Sequence, residues 1–148
     1  MLVNHMCSVE RMTISEGHRA RLLAVDDHAP FLVLLREVVR ATRQLELVGE
    51  AESGEQAVLA ARELRPDVVL MDVRMPGIGG IAAAKRIKED CPSTRVVLIS
   101  TTHPDELPRE AGAPLADGIV WKSELAPKLL DDIWLRCRGP VRPGSDVP

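Results

Sequence analysis

Three aspartates, a serine and a lysine stand at the ends of short apolar runs. RLLAV leads into Asp26-Asp27, VVLM into Asp72, VVLI into Ser100 and GIVW into Lys122. An acid that closes a buried run is costly unless something pairs with it. Three carboxylates brought together also repel, and each raises the pKa of the others unless a cation intervenes. Oxygen-only ligands suit a hard ion such as Mg²⁺, which keeps several waters and leaves room for a phosphate. Lysine suits a phosphoryl oxygen as a point charge, and a hydroxyl can donate to another. Together these types suit a carboxylate nucleophile that takes a phosphoryl group while Mg²⁺ and Lys122 screen the charge.

That chemistry requires the five residues to meet in space, so the elements between them must be of the right kind. RLLAV (21–25), LELVGEA (45–51), DVVLMD (67–72), RVVLIS (95–100) and GIVWK (118–122) have strand patterns. Between them lie helical spacings. In 28–42, Phe31, Leu34, Leu35, Val38 and Thr42 share a face. Ser53 is an N-cap candidate for a helix to about Leu64. Gly79-Gly80 opens a helix to about Glu89 that Cys91-Pro92 ends. Ser123 is expected to cap a last helix to about Arg138. Strands alternating with helices predict a doubly wound α/β domain with a five-stranded parallel sheet, (βα)₅. Continuous runs such as VVLM fit a sheet buried on both faces, whose ligand site lies beyond the carboxyl ends of its strands.

The ordered set VDDH, MDVRMPG, VVLIS and WKS resembles the receiver domain of two-component response regulators. Asp27 precedes Asp72 by 45 positions, Asp72 precedes Ser100 by 28 and Ser100 precedes Lys122 by 22. The resemblance covers about residues 20–138. Through VDDH, ELVGEAESGEQA and MDVRMPG it is nearest to receivers that usually precede a helix-turn-helix output domain. It implies a flavodoxin-like fold, with Asp72 as phosphoacceptor and Mg²⁺ held by Asp26, Asp27, Asp72 and the backbone carbonyl of Arg74. It also implies that Ser100 and Lys122 bind the phosphoryl group. The implied partners are a histidine kinase or phosphotransfer protein, and then a downstream protein or a DNA-binding output domain. A homodimer and a cytoplasmic location would be in keeping.

The sequence also departs from the family's pattern. Three positions before the lysine, where many receivers carry a swinging aromatic, stands Ile119, which puts the usual switch with Ser100 in doubt. Trp121 shares its strand face but lies further along. The segment 102–118, THPDELPREAGAPLADG, holds Pro104, Pro108, Gly112 and Pro114 where the family has its fourth helix. A proline in a helix interior costs about 3 kcal/mol, so that helix is expected to be short, irregular or mobile. On the first helix, Val33 falls among Arg36, Glu37 and Arg40, with Leu32 at the border. The pair reads either as scattered surface apolar residues or as a partner surface.

Competing readings are narrower. The acids could be turn or cap residues, which are common after strands, although the joint pattern of four motifs argues against it. Thr101 competes with Ser100 for the hydroxyl role. His28 and His103 read as bystanders, His28 at the start of a helix. A receiver-like interaction module without phosphorylation is the alternative function. A Mg²⁺-dependent phosphotransferase often has a second acid two residues after its nucleophile; Arg74 stands there, so the chain is expected not to be an enzyme beyond its own phosphorylation and dephosphorylation.

A net charge of −3, from 19 basic and 22 acidic residues, gives no support to direct nucleic-acid binding. The longest apolar runs are too short to span a bilayer. Cys7, Cys91 and Cys137 have neither disulfide nor zinc spacing and read as free thiols of a reducing compartment. Residues 1–19 are expected to form a flexible arm and 139–148, with three Pro and two Gly, a disordered tail. No DNA-binding element is expected within the chain, so output lies in a partner or in a part of the protein lost by truncation.

Overall fold

The computed structural model describes residues 18–112 and 115–138. The expected arm and tail lie outside these residues, apart from His18 and Arg19. Five strands form one parallel sheet: β1 (Ala20–Val25), β2 (Leu45–Ala51), β3 (Val68–Asp72), β4 (Arg95–Ser100) and β5 (Gly118–Trp121), in the order β2-β1-β3-β4-β5. The chain leaves β1 for one side and returns past it to β3. The carboxyl ends of β1 and β3 therefore flank the point where the strand order reverses, the place where such sheets bind ligands.

Each strand presents apolar residues to both faces, as a doubly covered sheet requires. Leu23, Val25, Val69, Met71 and Leu98 pack with residues of α2 (Gly54–Leu64) and α3 (Gly79–Asp90). Leu22, Ala24, Leu70 and Ile99 pack with α1 (Ala29–Arg40) and α4 (Pro127–Arg138). Burial of both faces is what fixes β3, all five residues of which are buried, and with it the position of Asp72.

Local sequence explains the helix ends. Ser53 Oγ accepts the Gln56 amide hydrogen bond at 3.1 Å, and Gln56 Oε1 accepts from the Glu52 amide at 2.9 Å. The Ser53 cap starts α2 as expected. At its other end the Arg21 guanidinium donates to the carbonyls of Leu64 (2.6 Å) and Arg65 (2.9 Å).

Three expectations need correction. The sheet-facing stripe of α1 is Leu32, Leu35 and Val39, while Leu34 is 49% exposed. The apolar stretch FLVLL offers residues at every helical phase, so periodicity alone did not fix the rotation. Burial of Leu32, Leu35 and Val39 against the sheet sets the rotation, and on the outer side Arg36 meets Glu50 of β2 in a two-pronged ion pair at 2.5 and 2.9 Å. Leu32 is consequently core, 3% exposed, and cannot belong to a partner surface; Val33, at 52%, is exposed as expected. The third correction concerns Ser123, which does not cap the last helix. It lies within a one-turn 3-10 helix, Lys122–Glu124, and α4 begins at Pro127, a residue suited to a helix's first turn.

The helix between β4 and β5 is broken, as its prolines require. Two one-turn 3-10 helices, Pro104–Glu106 and Arg109–Ala111, stand among the described residues of that segment. Pro108 between them is extended, with φ −61° and ψ 152°. Among the described residues no helix is long and apolar enough to cross a membrane.

Candidate functional site

β1 delivers Asp26 and Asp27, and β3 delivers Asp72, on adjacent parallel strands. Asp26 is fully buried. Its amide donates to the Ala51 carbonyl, and its Oδ1 accepts from the His28 amide at 2.8 Å. That contact starts α1, with His28 at the N-cap and its side chain not engaged in the cap. Asp27 is exposed and opens the site to solvent.

Lys122 follows β5 directly. Its Nζ lies 2.6 Å from Asp26 Oδ2 and 3.5 Å from Asp72 Oδ1. The short contact to Asp26 is ionic rather than a well-directed hydrogen bond: no donor reaches the buried Oδ2 in hydrogen-bonding geometry. Burial, reinforced by the negative charge of Asp26, pushes the Asp72 carboxyl up to about 6, although Lys122 pulls the other way. Asp72 is thus a carboxylate at neutral pH, but a more basic one than a solvated aspartate.

One carboxylate oxygen from each of Asp26, Asp27 and Asp72 lies within 4.8 Å of the others. An octahedral Mg²⁺ ion with oxygens at about 2.1 Å sets neighbouring ligands about 3 Å apart, so the three carboxylates must draw together to share one. With Asp26 Oδ2 lacking a hydrogen bond, and only hard oxygen donors present, these residues fit a small divalent cation. Arg74, expected to offer its carbonyl, is exposed two residues beyond Asp72. With Val73, Met75, Pro76, Leu107 and Pro108 it lines an open groove beside the site.

The turn after β3 depends on two glycines. Gly77 has φ +81°, a left-handed backbone that L side chains rarely adopt. Gly80 lies against β3: a Cβ there would sit 2.0 Å from the Asp72 carbonyl oxygen. Its amide donates to the Val73 carbonyl, tying the first turn of α3 to the residue after Asp72.

Ser100 is buried at the end of β4, one position beyond Ile99, the partner of Asp72 across the ladder. Its Oγ accepts from the Thr102 amide at 2.9 Å. Thr101 is exposed. Ile119 is half-buried against the α2–α3 side of the core. Trp121 does more than share its face: its indole N–H donates to the Thr101 carbonyl at 3.1 Å, and its ring meets His103 edge-on at 4.9 Å. The loop after Ser100 is therefore held by a side chain from β5. Sequence reasoning set Trp121 aside because a strand pattern gives the face of a residue but not how far a long side chain reaches along it. It likewise missed that the Phe31 ring lies under Lys122 Nζ, 4.2 Å from the ring centroid. The first turn of the helix following Asp26-Asp27 was the only signal available.

Residues 22–133 match the model of the response regulator receiver domain family. The response regulator GacA of Pseudomonas protegens is 43% identical over 96 residues, covering 63% of this chain and 45% of GacA. The uncharacterized transcriptional regulatory protein YxjL of Bacillus subtilis is 34% identical over 121 residues, covering 82% of this chain and 56% of YxjL. The chain thus spans about half the length of the curated relatives it matches. Among solved structures, the response regulator domain of Thermotoga maritima CheB aligns with TM-score 0.72 and 33% identity, over 81% of this chain and 97% of that one. A LuxR-family two-component response regulator from an Aurantimonas species aligns with TM-score 0.74 and 29% identity, over 82% and 87%. With its family model matching residues 22–133, well over half of the chain, the chain belongs to the response regulator receiver domain family.

Proposed function

We propose that Asp72 accepts a phosphoryl group from the phosphohistidine of a histidine kinase or phosphotransfer protein. The observation that carries this reading is the convergence of Asp26, Asp27 and Asp72 with Lys122 Nζ 3.5 Å from Asp72 Oδ1. An Asp72 oxygen attacks phosphorus, the P–N bond breaks, and the imidazole leaves with the electron pair and takes a proton. Asp26, Asp27, Asp72 and the Arg74 carbonyl would hold Mg²⁺, which when bound would supply positive charge against the carboxylates and the phosphoryl oxygens. Lys122 pairs with a phosphoryl oxygen from the other side. No acid stands at position 74 to serve a turnover enzyme.

Ser100 turns its hydroxyl from the Thr102 amide to the phosphoryl group, which moves the loop that Trp121 holds. The two short 3-10 turns that follow are the segment a partner reads, as a shift between two states. The partner is a downstream protein or a DNA-binding output domain, and the setting is the cytoplasm. The name of the relative YxjL, a transcriptional regulatory protein, is in keeping with the second option.

Intact mass after incubation with a small acyl phosphate tests the reading. One phosphoryl adduct is expected with Mg²⁺ and none with EDTA. No adduct under either condition would turn the reading to an interaction module that works without phosphorylation.

A further inference from the structure

Lys122 is held on three sides. Asp26 Oδ2 and Asp72 Oδ1 account for two, and the face of Phe31 closes the third, 4.2 Å from the ammonium. The lysine side chain is 14% exposed, so little of it meets water. A cation placed over an aromatic face is attracted by the ring quadrupole, most strongly where water is excluded. Asp26 and Phe31 both come from the β1–α1 side, whereas the more distant Asp72 comes from β3.

We propose that Phe31 is a positioning residue for phosphoryl acceptance: its aromatic face, rather than its bulk, keeps the Lys122 ammonium beside Asp72. This rests on the proposed role of Asp72 as acceptor. Without the ring, the flexible lysine stem spreads over more rotamers, and fewer of them place the charge where phosphoryl oxygens develop it. Phe31 acts through Lys122 and touches no reacting atom itself.

The chain contains one phenylalanine, so fluorinated phenylalanine can be incorporated at this position alone. Fluorine withdraws electrons from the ring face and weakens the cation contact stepwise while the ring keeps nearly its size. The maximal rate of adduct formation from a small acyl phosphate with Mg²⁺ is expected to fall in order from phenylalanine through 4-fluoro- to 3,5-difluorophenylalanine. Phe31→Leu should lower it about five-fold, within the range of a desolvated cation–π contact, and Phe31→Trp should preserve it. Rates that stay flat across the fluorinated series overturn the proposal, whether or not Phe31→Leu folds.

A second readout needs no phosphodonor. The fluorine resonance of 4-fluorophenylalanine at position 31 is expected to shift in Lys122→Met; an unmoved resonance also overturns the proposal. Should the wild-type protein form no adduct at all, the acceptor reading and this role in phosphoryl acceptance fall together, and a shifted fluorine resonance then establishes the contact alone.

Discussion

Replacing Asp72 by Asn should stabilise the protein in metal-free buffer at alkaline pH. Asp72 is the rare aspartate whose charge opposes folding, because burial and Asp26 hold its carboxyl at about 6 against an ordinary 3.8. The sign follows from proton counting. Between these two values the folded state keeps the proton that the unfolded chain has lost, so the Asp72 contribution to stability falls as pH rises through that window and is flat above it. At about 1.4 kcal/mol per tenfold, full expression at pH 8 corresponds to about 3 kcal/mol. Solvent and counter-ions entering on the open side, where Asp27 is exposed, reduce this to about 1–2 kcal/mol. Asn keeps the shape, carries no charge and leaves Lys122 paired with Asp26. Urea unfolding in EDTA should therefore show Asp72→Asn more stable by about 1–2 kcal/mol at pH 8, with Tm higher by about 3–8 °C. About a third of that difference should remain at pH 4.5. Mg²⁺ should stabilise the wild type more than the variant, because binding to the folded state alone raises stability by mass action. A variant less stable than wild type at pH 8 in EDTA, or a difference that does not change with pH, would refute the reasoning.

Other outcomes test the frame around the site. Gly80→Ala should lower stability by about 2–3 kcal/mol in chemical denaturation, since a methyl group there has no room against the Asp72 carbonyl. Leu32→Glu should cost more than about 3 kcal/mol by burying a charge, whereas Val33→Asp, one residue away and exposed, should stay within about 0.5 kcal/mol in the same assay. Cys137 should label slowly with a maleimide at pH 7.5, measured by peptide mass. Burial pushes its thiol up from 9.0, aided by Asp117, and the thiol donates to the Asp117 carbonyl.

The strands were legible because their signal is strong: β1, β3 and β4 are apolar runs between turn residues, buried on both faces, β5 is a shorter apolar run, and β2 alternates. Their carboxyl-terminal residues then followed, and with them Asp26, Asp27, Asp72, Ser100 and Lys122 at one edge. The prolines of segment 102–118 also had one physical reading, and the two short 3-10 turns agree with it. The rotation of α1 was not legible. FLVLL is apolar at every phase, and which of its residues turn inward is decided by packing against the sheet and α4, which no local pattern encodes. Ser123 looked like a cap because serine before a polar-apolar stretch often is one; the chain instead makes a tight turn at Lys122–Glu124, which sets the lysine at the site. The reach of Trp121 to Thr101 and of Lys122 to Phe31 depends on side-chain direction, which strand and helix periodicity do not encode.

The most direct test of the central claim is to find the residue that carries the phosphoryl group. The protein is incubated with a small acyl phosphate and Mg²⁺, the acyl phosphate is reduced with borohydride to homoserine, and the peptides are sequenced by mass spectrometry. The account predicts homoserine at position 72, with Asp26 and Asp27 unchanged and no conversion in EDTA. Conversion at Asp26 or Asp27 instead, or none anywhere in the presence of Mg²⁺, would contradict it.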